Sequence, residues 1–274
     1  MVDPILENTN LDYLTIRKWF NKSEGENFLR ITVPAEYALQ FGQLLGLPIR
    51  RCYISDNRLT ERLALGVATT AEIVAAALPN AGSTMAGDFG EVLSYIFHLS
   101  DSQEVELTGP KKWRLKQDRT KPSPKSDVVH FALPDWPNAG ESDGILCSEV
   151  KVKSTNGASR PISTSLTDSK KDRTSRFADT LVWLRERTIL GDDTDVSLEQ
   201  LARFIDAIDY PQYEKSFYAV AVICEELVDA ELEADPPVPD VNHQILVIVV
   251  PSLRDVYTSV FNSASNSFLP QDQN

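Results

Sequence analysis

The string Ser148 to Lys153, SEVKVK, places an acid and an amine one residue apart inside an otherwise apolar run. If the run is a strand, its side chains alternate. Glu149 and Lys151 then project from one face about 7 Å apart, while Val150 and Val152 turn into packing on the other. Burying a carboxylate and an ammonium in a central strand costs several kcal/mol per ion unless something compensates. A metal ion and a phosphate would compensate both. Two further acids precede this pair. Asp127 opens the apolar run that continues to Leu133, 22 positions before Glu149, and Glu91 follows Gly87 and Gly90 in a helical pattern. Glycines inside a helix cost roughly 1 kcal/mol each against alanine, and they let the helix sit close to a sheet or a ligand. Residue frequencies alone yield about one acid-x-lysine string in a chain of this length. The second such string, Asp168-Ser169-Lys170, lies in a polar Ser/Thr-rich stretch without strand character and reads as the chance match.

These residues need elements to hold them. A helix is expected over 83–99, with Phe89, Val92, Leu93 and Ile96 on one face. Strands are expected over 113–117, 126–133 and 144–153, helices over 169–189 and 197–208, and strands over 217–224 and 243–250. Ser197 with Gln200 spells a capping box, as does Thr69 with Glu72 ahead of an Ala-rich helix closed by Pro79 and Gly82. Before that, 28–33 alternates like a strand, 36–45 reads as a short helix and 48–54 as another strand. The runs AVAVI and ILVIVV are apolar on both faces, as strands covered by helices on either side must be. The expected fold is α/β, with a central mixed sheet flanked by helices. It divides into an amino-terminal α/β accessory region (1–82), a core (83–261) and a disordered tail (262–274).

Composition narrows the function classes. Apolar residues make up 42% and charged residues 24% of the 274, so the chain is neither a disordered nor a collagen-like protein. No apolar run approaches the roughly 18 residues of a spanning helix, and cytoplasm is the default location. Cys52, Cys147 and Cys224, with His98, His130 and His243, make no zinc spacing, and no phosphate-binding or dinucleotide glycine motif occurs. Cys147 shares a strand face with Glu149, but a buried inert thiol is the simpler reading. The net charge is −13, and residues 189–274 alone hold 16 acids against 3 bases. Two basic segments flank the Glu149 strand: 111–125 with seven positive charges and one negative, and 151–176 with seven and two. Such segregation can draw a polyanion to one face and repel it from another.

Glu91 on the first helix, Asp127 on the second strand and Glu149-Val150-Lys151 on the third resemble the PD-(D/E)xK nuclease superfamily, named for its restriction-endonuclease-like core. Ser126 stands where the superfamily commonly has proline. Closer still, GDFGEVLSYIF (87–97), KSDVVHF (125–131) and SEVKVKS (148–154) are similar to the HamA family, the nuclease components of bacterial Hachiman anti-phage systems, which act with a helicase, HamB. The resemblance implies a magnesium-dependent DNA endonuclease, with manganese as a substitute ion. Its metal would be held by Asp127, Glu149 and the Val150 carbonyl, with Glu91 supporting. Lys151 would position or deprotonate the attacking water. It implies a basic helper on the following helix, with Lys170, Lys171 and Arg173 as candidates, and a HamB-like helicase partner. Lys111, Lys112, Arg114 and Lys121 join those three as expected DNA-backbone contacts. A competing reading keeps the fold and drops the catalysis, making the chain an interaction subunit whose acidic end meets a basic partner.

Overall fold

The computed structural model describes residues 11, 13–102, 107–206 and 208–267. Its centre is a seven-stranded mixed sheet in the order β1-β2-β7-β6-β5-β4-β3. The strands are β1 (Asn21–Gly25), β2 (Phe28–Thr32), β3 (Leu107–Thr108), β4 (Val128–Ala132), β5 (Gly144–Lys153), β6 (Glu214–Cys224) and β7 (Gln244–Val250). β2, β7, β6 and β5 run parallel, and the pairs β1/β2, β5/β4 and β4/β3 are antiparallel.

The helices are α1 (Tyr13–Arg17), α2 (Ala35–Tyr53), α3 (Asp56–Ala64), α4 (Thr70–Ala77), α5 (Ser83–Asp101), α6 (Pro161–Lys171), α7 (Phe177–Ile189), α8 (Leu198–Ile205), α9 (Glu225–Ala234) and α10 (Leu253–Ser265). α5, with α2 and α10 beyond it, covers the face to which Val128, Val150, Val220, Val222, Leu246 and Ile248 point. α6 and α9 cover the other face through Ile162, Leu166 and Val228, against Ala219, Ala221, Val247 and Val249. α7 and α8 close that second face over β4 and β5 with Phe177, Leu181, Leu184 and Phe204. This layered α/β architecture is the expected one.

Several local expectations are corrected. Residues 48–54 are not a strand: α2 runs through Pro48 to Tyr53. An internal proline costs about 3 kcal/mol in helix propensity, but here Leu45 and Ile49 are fully buried. Gly42 and Gly46 also let α10 approach so closely that an added Cβ would meet the Ser259 and Ser263 hydroxyls at 2.3 and 2.4 Å. The 113–117 segment is a 3-10 turn (Lys112–Leu115), not a strand. The 169–189 helix begins earlier, at Pro161, the helix-starting position that proline favours. It is then interrupted by a π-turn, Asp172–Arg176. The tail expected from 262 is helical through Ser265, and 268–274 lies outside the described residues. α1, β1, α3, β3 and α9 were not expected at all. β5 has its expected bounds, and both capping boxes are formed.

Candidate active site

The pairing of β4 with β5 starts at Val128 opposite Ser148. Beyond Ser148, β5 keeps β6 on one side and has no β4 residue on the other, so its edge opens into a cleft of about 920 Å³. Asp127, the residue just before β4, turns into this gap, and its Oδ2 accepts the Val150 N–H at 2.9 Å. In extended backbone the N–H and C=O of one residue project to the same side, so the Val150 carbonyl also faces Asp127's side of the strand. Gly90 allows α5 to lie against the back of the strand, because a Cβ there would meet Val152 Cγ2 at 2.4 Å. That approach brings Glu91 to the cleft wall beside Asp127, Glu149, Val150 and Lys151, and the structure brings all five together.

Glu149 is 2% exposed. Lys151 Nζ donates to its Oε1 at 2.6 Å and lies 2.9 Å from Asp168 Oδ2. Arg176 Nη2 approaches Glu149 Oε2 at 3.1 Å, but off the hydrogen-bonding direction, so this oxygen is buried without a hydrogen bond. Burial, and next the charge of Asp127, push the Glu149 carboxyl up to about 8. Burial alone would lower the Lys151 ammonium, but Glu149, Asp127 and Asp168 outweigh it and hold Lys151 above its ordinary value. Glu91 accepts the Trp113 indole N–H at 2.9 Å, and Lys112 Nζ stands 3.8 Å away. Burial, followed by the neighbouring carboxylates, raises it well above the carboxylate range despite Lys112.

The donor set suits a hard divalent cation. Magnesium takes oxygen ligands and is commonly held by one or two carboxylates with the rest supplied by water and substrate. Asp127, the unbonded Oε2 of Glu149 and the Val150 carbonyl are such donors. No group of three His, Cys, Asp or Glu side chains arranged around a common metal position occurs among the described residues. A cation here would draw two carboxylates and a carbonyl from the protein, with Glu91 set back against Trp113.

Sequence reasoning missed Asp168 and Arg176. Asp168, in the string read as chance, pairs with Lys151. Of the three expected helix bases none reaches Glu149: Lys170 pairs with Asp240 at 3.0 Å, Lys171 with Asp168 at 2.6 Å, and exposed Arg173 lines a different cleft with Lys215 and His243. The basic segment at 111–114 is also corrected. Lys111 and Lys112 are 4% and 2% exposed. Lys111 pairs with Asp195, Lys112 donates to the Ser126 carbonyl, and Arg114 binds Asp193, Asp195 and the Arg51 carbonyl. A 3-10 turn tucks these charges inward, where they serve as ties between loops. Lys121 is exposed and pairs only with Asp118. The cations that line the cleft without an ion-pair partner among the described residues are Lys125 and Arg254. Lys125 holds a left-handed φ of 74°, a strained position of the kind that clusters at functional sites. Cys147 is fully buried, and its thiol is raised well above its usual value by burial first, as an inert core residue requires. His98 is buried against the Ser148 hydroxyl and pushed down to about 3 by desolvation, so it stays neutral.

Fold and site define an α/β protein with an acid-and-lysine centre at an opened sheet edge. The HamA family model matches residues 15–264, and the chain belongs to that family. It is thereby a Hachiman antiviral defence protein. No curated protein matches it. No helix among the described residues is long and apolar enough to cross a membrane.

Proposed function

We propose that the chain is a magnesium-dependent DNA endonuclease of the PD-(D/E)xK type, with manganese able to substitute. It acts in the cytoplasm as the nuclease effector of a defence complex that a HamB-like helicase restrains and then activates. The observation that carries this reading is the convergence of Asp127, Glu149 and Lys151 on one open strand edge, with a buried Glu149 oxygen left without a hydrogen bond. Magnesium at this place would polarise the scissile phosphate and supply a water of lowered pKa. The rest falls to the chain. Asp127 and Glu149 would hold the ion, and the Val150 carbonyl would complete the protein's share. Lys151, kept as an ammonium by Glu149 and Asp168, orients the attacking water and neutralises phosphate charge rather than taking the proton. Glu91, fixed by Trp113, lines the back of the cleft and can order a water there.

Restraint by a partner follows from the same features. An unrestrained nuclease of low selectivity would cut its host's chromosome. Purified chain, alone and with its helicase, should be compared on supercoiled plasmid with magnesium. Metal-dependent nicking that differs between the two states is expected, and Lys151→Ala should lose it by about 1,000-fold while keeping a cooperative unfolding transition. Equal cutting by Lys151→Ala would remove this centre from consideration, and equal cutting in both states would remove the restraint.

Lys125 and Arg254, on two walls of the cleft, are the proposed backbone contacts. Neutralising both should flatten the dependence of log affinity on log salt by about 1.8 on duplex DNA, at about 0.9 per lost contact. Neutralising Lys111 and Arg114 should instead lower stability. An unchanged slope in the first variant would place the DNA path elsewhere.

A further inference from the structure

The π-turn between α6 and α7 shifts the helical register by one residue, and it does so where two side chains enter the site. Asp172, fully buried, accepts the Ser126 hydroxyl at 2.9 Å, which ties it to the residue beside Asp127. Arg176 reaches three acceptors. Its Nη2 donates to the Asp168 carbonyl at 2.7 Å, its Nε forms an ion pair with Asp172 Oδ1 at 2.7 Å outside hydrogen-bonding geometry, and the same Nη2 stands 3.1 Å from Glu149 Oε2. Both oxygens of Glu149 therefore face a protein cation, and the two contacts are unequal. Lys151 makes a short hydrogen bond to Oε1, whereas Arg176 makes a longer, misaligned approach to Oε2. The Arg176 side chain is 28% exposed and borders the cleft, while that of Glu149 is 2% exposed.

We propose that Arg176 is a further catalytic residue of this centre: it stands in for the metal at Glu149 Oε2 in the free protein and passes to the scissile phosphate when metal and polynucleotide bind. The inference rests on the nuclease reading. A divalent cation held by Glu149 would repel the guanidinium, whose contact with Oε2 is not a hydrogen bond and is the one given up. The ion pair with Asp172 retains the Nε edge as the hinge, and the swing of the Nη edge toward the cleft also gives up the Nη2 hydrogen bond to the Asp168 carbonyl. A planar guanidinium suits the task, because it matches two phosphate oxygens at once where an ammonium is a point charge. A scaffold role would differ in one respect: it would make Arg176 an ally of metal binding, whereas here it is a competitor.

Magnesium binding to the 274-residue chain without DNA, followed by titration calorimetry at pH 9 to limit proton competition, separates the two. For Arg176→Met we expect magnesium to bind about three- to tenfold more tightly, while plasmid cleavage falls about 100-fold and DNA affinity in calcium falls about tenfold. Arg176→Lys should retain wild-type magnesium affinity and lose about tenfold in cleavage. Weaker magnesium binding by Arg176→Met in step with lost cleavage, or cleavage unchanged from wild type, would overturn the proposal. Should Arg176→Met not fold, Arg176→Lys decides: proportionate loss of both readouts overturns it, and loss of cleavage alone upholds it. A wild type that neither binds magnesium nor cuts sinks the nuclease reading and this inference with it. A wild type that does both, beside a variant that binds magnesium less tightly, sinks this inference alone.

Discussion

Glu149→Gln should abolish DNA cleavage, by about 1,000-fold or more, and at the same time make the protein more stable at alkaline pH. The two effects have one source. The wild-type carboxyl is buried beside Asp127 and titrates near 8, against an ordinary 4.5. Between those values the native state holds a proton that the unfolded state has released, so unfolding is linked to proton loss and stability falls as pH rises. The penalty is absent below about pH 4.5 and fully present above about pH 8. Each pKa unit is worth about 1.4 kcal/mol. Lys151 and Arg176 lose a partner in the variant, but they keep Asp168 and Asp172. A gain of about 2 to 4 kcal/mol at pH 9, shrinking to nothing near pH 4, is therefore expected from denaturant unfolding. A variant less stable than wild type across that range would show that Glu149 is a structural ion-pair residue.

The rate of cleavage at limiting magnesium should climb about tenfold per pH unit from pH 6 to 8 and then level off. Only the ionised carboxylate is a metal ligand, and with Glu149 held near 8 most molecules carry the proton at neutral pH. Magnesium and the proton compete for the same oxygens, so raising the magnesium concentration should move the midpoint to lower pH. The movement distinguishes Glu149 from a base acting on the substrate alone. A midpoint that stays put over a hundredfold range of magnesium would assign the pH dependence to another group.

The site strand was legible because alternation is a local signal: successive residues of 144–153 answer to opposite faces, and Glu149, Lys151 and Lys153 break the apolar rule on theirs. Both capping boxes were legible for the same reason, since each is completed within four residues. What escaped depends on tertiary partners. Pro48 stops a helix in isolation, yet α2 continues through it because α10 packs against Gly42 and Gly46. Lys111 and Arg114 look solvated until the loop at 193–195 supplies their acids. Asp168 and Arg176 join the centre through a π-turn, and a register shift of one residue leaves no periodic trace in so short a stretch. One signal was available: Pro161 at a first helical position, which would have started α6 in time to place Asp168 on its inner face.

The position of β2 bears on how the molecule is made. It pairs with β7, so residues 29–32 wait for residues 246–249 before that part of the sheet can close. β6 and β7, which shelter β5 on its inner side, likewise leave the ribosome only after β5 itself. Pairings over such sequence separations are slow to form, because loop-closure entropy is lost before any contact repays it. A nascent chain that has already exposed Glu91, Asp127, Glu149 and Lys151 still lacks the strands that hold β5 flat and the α10 wall of the cleft. The order of synthesis thus withholds the geometry of the site until α10 has emerged, and shorter fragments carry its residues without that geometry.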